Sequence, residues 1–260
     1  MSAISCRQLR KSFGDFEVLR GIDLEVERGE LFGFLGPNGA GKTTTIRILT
    51  GLLLPSAGTV QVAGYDVMRH PQEVKLRVGY VPDRAFLYPK LTAREFLEFV
   101  GHLYQRDAAE VERVCAPLLA RFDLTEWTDE LIEAYSHGMR QKLALTAALI
   151  HEPEILVIDE PMIGLDPRGA RVMKTLLAEI VTSGRTVFLS THTLQVAEEL
   201  CSRVAIIQKG LVIARGTLDE LRRQAQDHGS LEAVFLRLTE DGPAPPVDDV
   251  LELRARRAAP

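Results

Sequence analysis

The chain has 260 residues, 46% of them hydrophobic and 26% charged, with a formal net charge of −5. That balance excludes a disordered chain and argues against a general nucleic-acid-binding surface. Three widely separated cysteines, Cys6, Cys115 and Cys201, argue against a disulfide framework and show no metal-ligand spacing.

Residues 2–35 are predicted as strands. Ile22-Asp23-Leu24-Glu25-Val26-Glu27 alternates apolar and charged side chains, the pattern of a strand with one face in water. Leu31-Phe32-Gly33-Phe34-Leu35 is apolar on both faces and reads as a buried strand. Directly after it, Gly36-Pro37-Asn38-Gly39-Ala40-Gly41-Lys42-Thr43 fits G-x-x-x-x-G-K-[ST] at every fixed position. A helix over Thr43-Thr44-Thr45-Ile46-Arg47-Ile48-Leu49 completes the strand–loop–helix context. Glycines let backbone N–H groups turn in on an anion, and the helix directs its positive dipole end to the same place. Lys42 is then expected to reach the β- and γ-phosphates of a nucleoside triphosphate, and the Thr43 hydroxyl to ligand Mg²⁺.

Thr59–Gly64 and Val78–Val81 are further short strands. From Thr92 to His151 the pattern turns helical, opening on a capping box with Glu95 three residues after Thr92. An inserted helical unit over about 84–150 is expected. Strands return at Ile155–Ile158 and Thr186–Ser190, both apolar on two faces. Between them lies a helix punctuated by Asp166 as N-cap, Pro167 in its first position and Gly184 past its end. Val204–Ile207 and Leu211–Ala214 read as a hairpin around Gln208-Lys209-Gly210. One domain over residues 1–240 is expected. A flexible tail over 241–260, with Pro243, Pro245 and Pro246, should follow.

Ile155-Leu156-Val157-Ile158-Asp159-Glu160 supplies the second half of the chemistry. A buried strand ending in two carboxylates delivers them where α/β sheets gather their ligands. Asp159 is expected to hold Mg²⁺ through water, and Glu160 to orient and deprotonate an attacking water. Ser136 is placed to cap a helix with an apolar stripe through Met139, Leu143, Ala147 and Ile150, whose free N–H groups can bind an anion.

With these residues in place, the chain resembles the nucleotide-binding subunits of ABC transporters from residue 4 to about 220. The family's signature, similar to Leu-Ser-Gly-Gly-Gln, stands here as Tyr135-Ser136-His137-Gly138-Met139, which keeps Ser136 and Gly138. The resemblance implies an α/β fold: a phosphate-loop NTPase core with a largely parallel sheet, an N-terminal antiparallel β subdomain and an inserted helical subdomain. It implies ATP and Mg²⁺ as ligands and a dimer, of two copies or of this chain and a paralogous ATPase subunit. Each site would take Gly36 to Thr44 from one subunit and Ser136 with Gly138 from the other. Asp166 matches the loop that communicates across the dimer, His192 the γ-phosphate histidine and Phe13 the aromatic that stacks on adenine, with Phe16 as its rival. Asp83 stands where the family has a metal-touching glutamine, a departure familiar in the branch resembling ABC-2-type exporters. That branch also has a helix like 230–239.

The implied function is ATP hydrolysis driving transmembrane permease subunits on a separate chain. No apolar signal segment opens the chain and no run of about 18 apolar residues occurs in it. A cytoplasmic protein, peripheral on the inner face of the cell membrane, is therefore expected, without direct contact to nucleic acid. The alternative is a soluble ABC-type ATPase acting as a mechanical switch on nucleic acid or the ribosome. Such proteins carry two cassettes or a long coiled-coil insertion, whereas this sequence has one set of motifs and no heptad run.

Overall fold

The structure is a computed structural model and describes residues 2–225 and 230–239. The predicted tail over 241–260 lies outside the described residues.

Two long strands, β1 (Ser2–Phe13) and β2 (Phe16–Glu27), form an antiparallel hairpin. Strand β3 (Leu31–Leu35) leads through the glycine-rich loop into α1 (Lys42–Leu49), one residue earlier than the sequence predicts. Next come β4 (Ala57–Val62), β5 (Tyr65–Asp66), α2 (Pro71–Arg77) and β6 (Val78–Val81). The helical stretch resolves into α3 (Ala93–Leu103), α4 (Ala108–Arg121), two short 3₁₀ turns and α5 (His137–Ala148). The remaining elements are β7 (Ile155–Asp159), α6 (Pro167–Thr182), β8 (Thr186–Thr191), α7 (Leu194–Leu200), β9 (Arg203–Gln208), β10 (Leu211–Gly216), α8 (Leu218–Gln224) and α9 (Leu231–Thr239).

Two sheets result. A four-stranded antiparallel sheet has the order β2-β1-β4-β5, and a six-stranded sheet has the order β10-β9-β3-β8-β7-β6, parallel except at β10. The strands of the large sheet divide their side chains by alternation. Leu31, Leu35, Leu156 and Ile158 enter a core with helices α3 to α7. Phe32, Phe34, Ile155 and Val157 enter a second core with α1 and the antiparallel sheet. Phe188 stacks on Phe32 with ring centroids 5.9 Å apart and tilts against Phe34 at 5.5 Å. Each such fully buried side chain stabilises the fold by about 1.5–3 kcal/mol. The all-apolar strands foreseen at β3, β7 and β8 are buried on both faces, as is the middle of β9.

Local punctuation follows the sequence. Thr92 and Glu95 form the capping box of α3, Asp166 caps α6 and Ser136 caps α5. The expected stripe of α5 is shorter than its sequence, because the helix ends at Ala148 and the Ile150 N–H turns back to Ala147 O at 3.3 Å. Ile150 is still buried.

All three cysteines are buried, and burial pushes the thiols of Cys6, Cys115 and Cys201 up to about 12. His151 follows α5, stacked on Tyr104 at 3.9 Å, with its Nε2 donating to Val78 O at 3.2 Å. Burial, with Arg106 nearby, pushes its pKa down to about 4. The unfolded chain protonates this ring below about 6.5, so its contribution to stability is whole above that pH and is lost as pH falls toward 4. His151→Phe should therefore lose about 2–3 kcal/mol less than the native chain between pH 7 and pH 4.5. Urea denaturation at both values reads the difference, and equal losses would refute it.

Candidate active site

The register of the large sheet levels its strand ends. Leu35 pairs with Thr191, Asp159 with Ser190 and Val81 with Ile158. The chain therefore leaves the sheet on one edge at Gly36, Glu160, His192 and Pro82-Asp83.

Gly36 is required by close approach, since a Cβ there would sit 2.3 Å from the Ile207 carbonyl oxygen. Gly41 holds a left-handed backbone (φ 113°) at the N-cap of α1 and gives no side-chain cap. The N–H groups of Lys42, Thr43 and Thr44 precede the first intrahelical bond, Thr45 N–H to Gly41 O at 2.9 Å. Pro37, Asn38 and Gly39 are exposed at the tip. Ala40 is buried and its carbonyl accepts from Gly210 N–H at 3.0 Å, so the β9–β10 turn braces the loop. Lys42 is buried, with Nζ donating to Gly36 O at 2.6 Å and Pro37 O at 3.3 Å. Burial lowers its pKa, opposed by the Glu160 and Asp159 charges.

The Thr43 hydroxyl donates to Asp159 Oδ2 at 3.2 Å, joining the loop to β7. Burial raises the Asp159 pKa, and the charges of Glu160 and Asp83 push in the same direction, against the Thr43 and Ser190 hydroxyls. Burial, with the same Asp159 and Asp83 charges, holds the Tyr80 phenol up at about 12. A divalent cation beside Thr43 and Asp159 would relieve that repulsion, and hard oxygen donors suit Mg²⁺. No group of three or more His, Cys, Asp or Glu side chains among the described residues could hold a metal unaided. The Thr43 hydroxyl and the Asp159 carboxylate are two oxygen donors, a set that fits an ion keeping water and phosphate oxygens for the rest of its shell, as Mg²⁺ does.

Glu160 is buried, and its backbone is left-handed (φ 53°). Its N–H extends the β7–β8 ladder by donating to Ser190 O at 2.8 Å. Its carboxylate accepts three bonds: from the Thr191 hydroxyl at 2.9 Å, from His192 N–H at 2.9 Å and from His192 Nδ1 at 2.6 Å. A carboxylate only accepts, so the imidazole proton sits on Nδ1 and the half-exposed ring turns Nε2 outward. Sequence reasoning found Glu160 and His192 but missed Thr191, whose adjacency to His192 was the available signal.

A second cluster forms around α5. Ser136 Oγ accepts from Met139 N–H at 3.2 Å. Gly138 packs on the following loop so tightly that a Cβ would meet Gly164 O at 2.5 Å. Asp166 Oδ1 accepts from Gly169 N–H at 3.2 Å and lies 3.7 Å from Lys142 Nζ. The structure thus brings Ser136 and Gly138 to the loop carrying Asp166. Among the described residues no hydrogen bond ties either to residues 36–43. Phe13 and Phe16 pair across the exposed tip of the β1–β2 hairpin, with the Lys11 ammonium 5.0 Å from the Phe13 ring centroid.

Known proteins share this architecture. The family model described as ABC transporter matches residues 19–163. The daunorubicin resistance ATP-binding protein DrrA3 of Streptomyces coeruleorubidus is 43% identical over 236 residues, 91% of this chain and 74% of that protein. The Nod factor export ATP-binding protein I of Ralstonia nicotianae is 39% identical, over 84% of this chain and 68% of its own. A solved structure of an ATP-binding subunit of an ABC transporter superposes with a TM-score of 0.87 at 34% identity, covering 92% of this chain and all of that one. The chain therefore belongs to the ABC transporter family, as one of its ATP-binding subunits.

Proposed function

We propose that this chain hydrolyses ATP as one half of a dimer and thereby drives an exporter whose permease subunits are separate chains. The observation that carries the reading is the Glu160–Thr191–His192 cluster, set on the same sheet edge as the phosphate loop and the Thr43–Asp159 bond. The relatives named for daunorubicin resistance and Nod factor export support the direction of transport.

Lys42, released from Gly36 O and Pro37 O, turns to the β- and γ-phosphates, while the N–H groups that open α1 cradle them. Thr43 and Asp159 would hold Mg²⁺, and Asp83 would add its negative charge to the site. Bound Mg²⁺ supplies neutralisation of the charge that develops on the phosphoryl oxygens. Glu160, oriented by its three donors, accepts a proton from the attacking water. The water oxygen bonds to the γ-phosphorus as the bond to the ADP oxygen breaks, giving ADP and inorganic phosphate. His192, held to Glu160 through Nδ1, would support the γ-phosphate through Nε2, which donates only when the ring carries both protons. Ser136, Gly138 and Asp166 complete the site of the opposite subunit, which suits their separation from residues 36–43. Phe13 stacks on the adenine.

No helix among the described residues is long and apolar enough to cross a membrane, so the transport path is assigned to the permease. An apolar groove of about 320 Å³ lies between the segment after α1, β6, α3 and α5, lined in part by Leu52, Phe86, Phe96 and Val100. Phe86, 89% exposed, stands three residues after Asp83, so a permease segment seated there would adjoin the metal site. The reading that goes with this is a protein on the cytoplasmic face of the membrane, beside its permease.

The test is light scattering of the Glu160→Gln chain with Mg-ATP, where the mass should double and return when ATP is removed. A persistent monomer would refute self-association and leave a paralogous partner. Asp83→Gln should raise the Mg²⁺ concentration for half-maximal hydrolysis by about fivefold, the effect of losing ~1 kcal/mol of attraction at a partly exposed charge. An unchanged Mg²⁺ dependence would make Asp83 a bystander.

A further inference from the structure

Beside the site lies a cleft of about 540 Å³ that shares only Asp83 with the mechanism above. Asp83, Arg84 and Ala85 form one wall, Ile163 lies at its base, and His137, Arg140 and Gln141 form the other. The last three stand at i, i+3 and i+4 on α5, so they share one helix face.

The lining is rich in donors without acceptors. Gln141 is 1% exposed, and its amide Nε2 is buried with no partner. Arg140 Nε is likewise buried and unpartnered, while its Nη2 is anchored on Glu133 O at 3.0 Å. Leaving a buried donor unmatched costs about 1–3 kcal/mol, more for a charged group. A guanidinium offers donors only, so the group that satisfies this wall is an acceptor. Two arginines against the single carboxylate of Asp83 make it an anion.

The cleft also adjoins the chemistry. Its base, Ile163, donates its N–H to Glu160 O at 3.3 Å. The anion generated next to it is inorganic phosphate.

We propose that this cleft is a binding site for product phosphate, which passes from the hydrolytic centre to Arg84, Arg140 and Gln141 while ADP is still held by the phosphate loop. The proposal rests on the ATPase reading above. It also gives a partner to the buried Gln141 amide.

The test uses the full chain saturated with Mg-ADP, so that the β-phosphate fills the loop, and inorganic phosphate as the probe. Saturable broadening of the phosphate ³¹P resonance is expected. Gln141→Leu, close in volume, should weaken phosphate binding about tenfold or more, as should Arg84→Ala at its exposed position. In both variants, inhibition of ATPase by added phosphate should weaken in step, with ADP affinity unchanged. No saturable binding by the native chain, or native phosphate affinity in both variants, would overturn the proposal. Should Gln141→Leu not fold, Arg84→Ala decides alone. Failure of the native chain to bind ADP would count against the ATPase reading instead.

Discussion

Glu160→Gln is expected to bind ATP as the native chain does and to lose turnover by about 10²–10⁴-fold, the range for removal of a general base. The cluster tolerates the amide. Its oxygen can still accept from His192, while its NH₂ can donate to the Thr191 hydroxyl, a group able to act either way. What disappears is proton acceptance from water. Phosphate release under single-turnover conditions, alongside equilibrium ATP binding, separates the two effects. Turnover within tenfold of native would remove Glu160 from the role of base.

Lys42→Ala should act on binding itself. The ammonium is buried at the loop and donates to two of its carbonyls, so it is placed beside the phosphates before they arrive. Each charge-assisted hydrogen bond is worth about 1.5–3 kcal/mol, so losing those to the phosphates should weaken ATP by about 10²-fold or more. Thermal melting is a direct readout, because Mg-ATP should raise the midpoint of the native chain and leave that of the variant unmoved. An ATP-induced shift of native size in the variant would contradict the assignment.

Much of this site was legible in the sequence, where function imposes local residue types. The phosphate loop needs glycines and a lysine at fixed spacing, and Asp159-Glu160 ends a strand too apolar to lie anywhere but inside a sheet. The caps at Thr92, Ser136 and Asp166 were equally local, since a side chain two or three residues from its N–H partner is decided within one turn. The relations that assemble the site were not legible. That β8 lies between β3 and β7, and that Thr191 therefore reaches Glu160 across a gap of 31 residues, depends on strand order. Gly138 against Gly164, and the unpartnered amide of Gln141, depend on helix packing. Apolar periodicity also carried the α5 stripe on to Ile150, because a buried residue after a helix looks like one inside it.

The left-handed backbone at Glu160 has a consequence for what else this position can tolerate. A non-glycine residue held there is disfavoured by about 1 kcal/mol or more, and here the three bonds to the carboxylate offset that strain. Alanine would keep the strain and lose the compensation, whereas glycine would lose both. Among inactive replacements the smaller residue should thus give the sturdier protein, a reversal of the usual preference outside turns. Position 160 is a point where the chain trades robustness for reactivity.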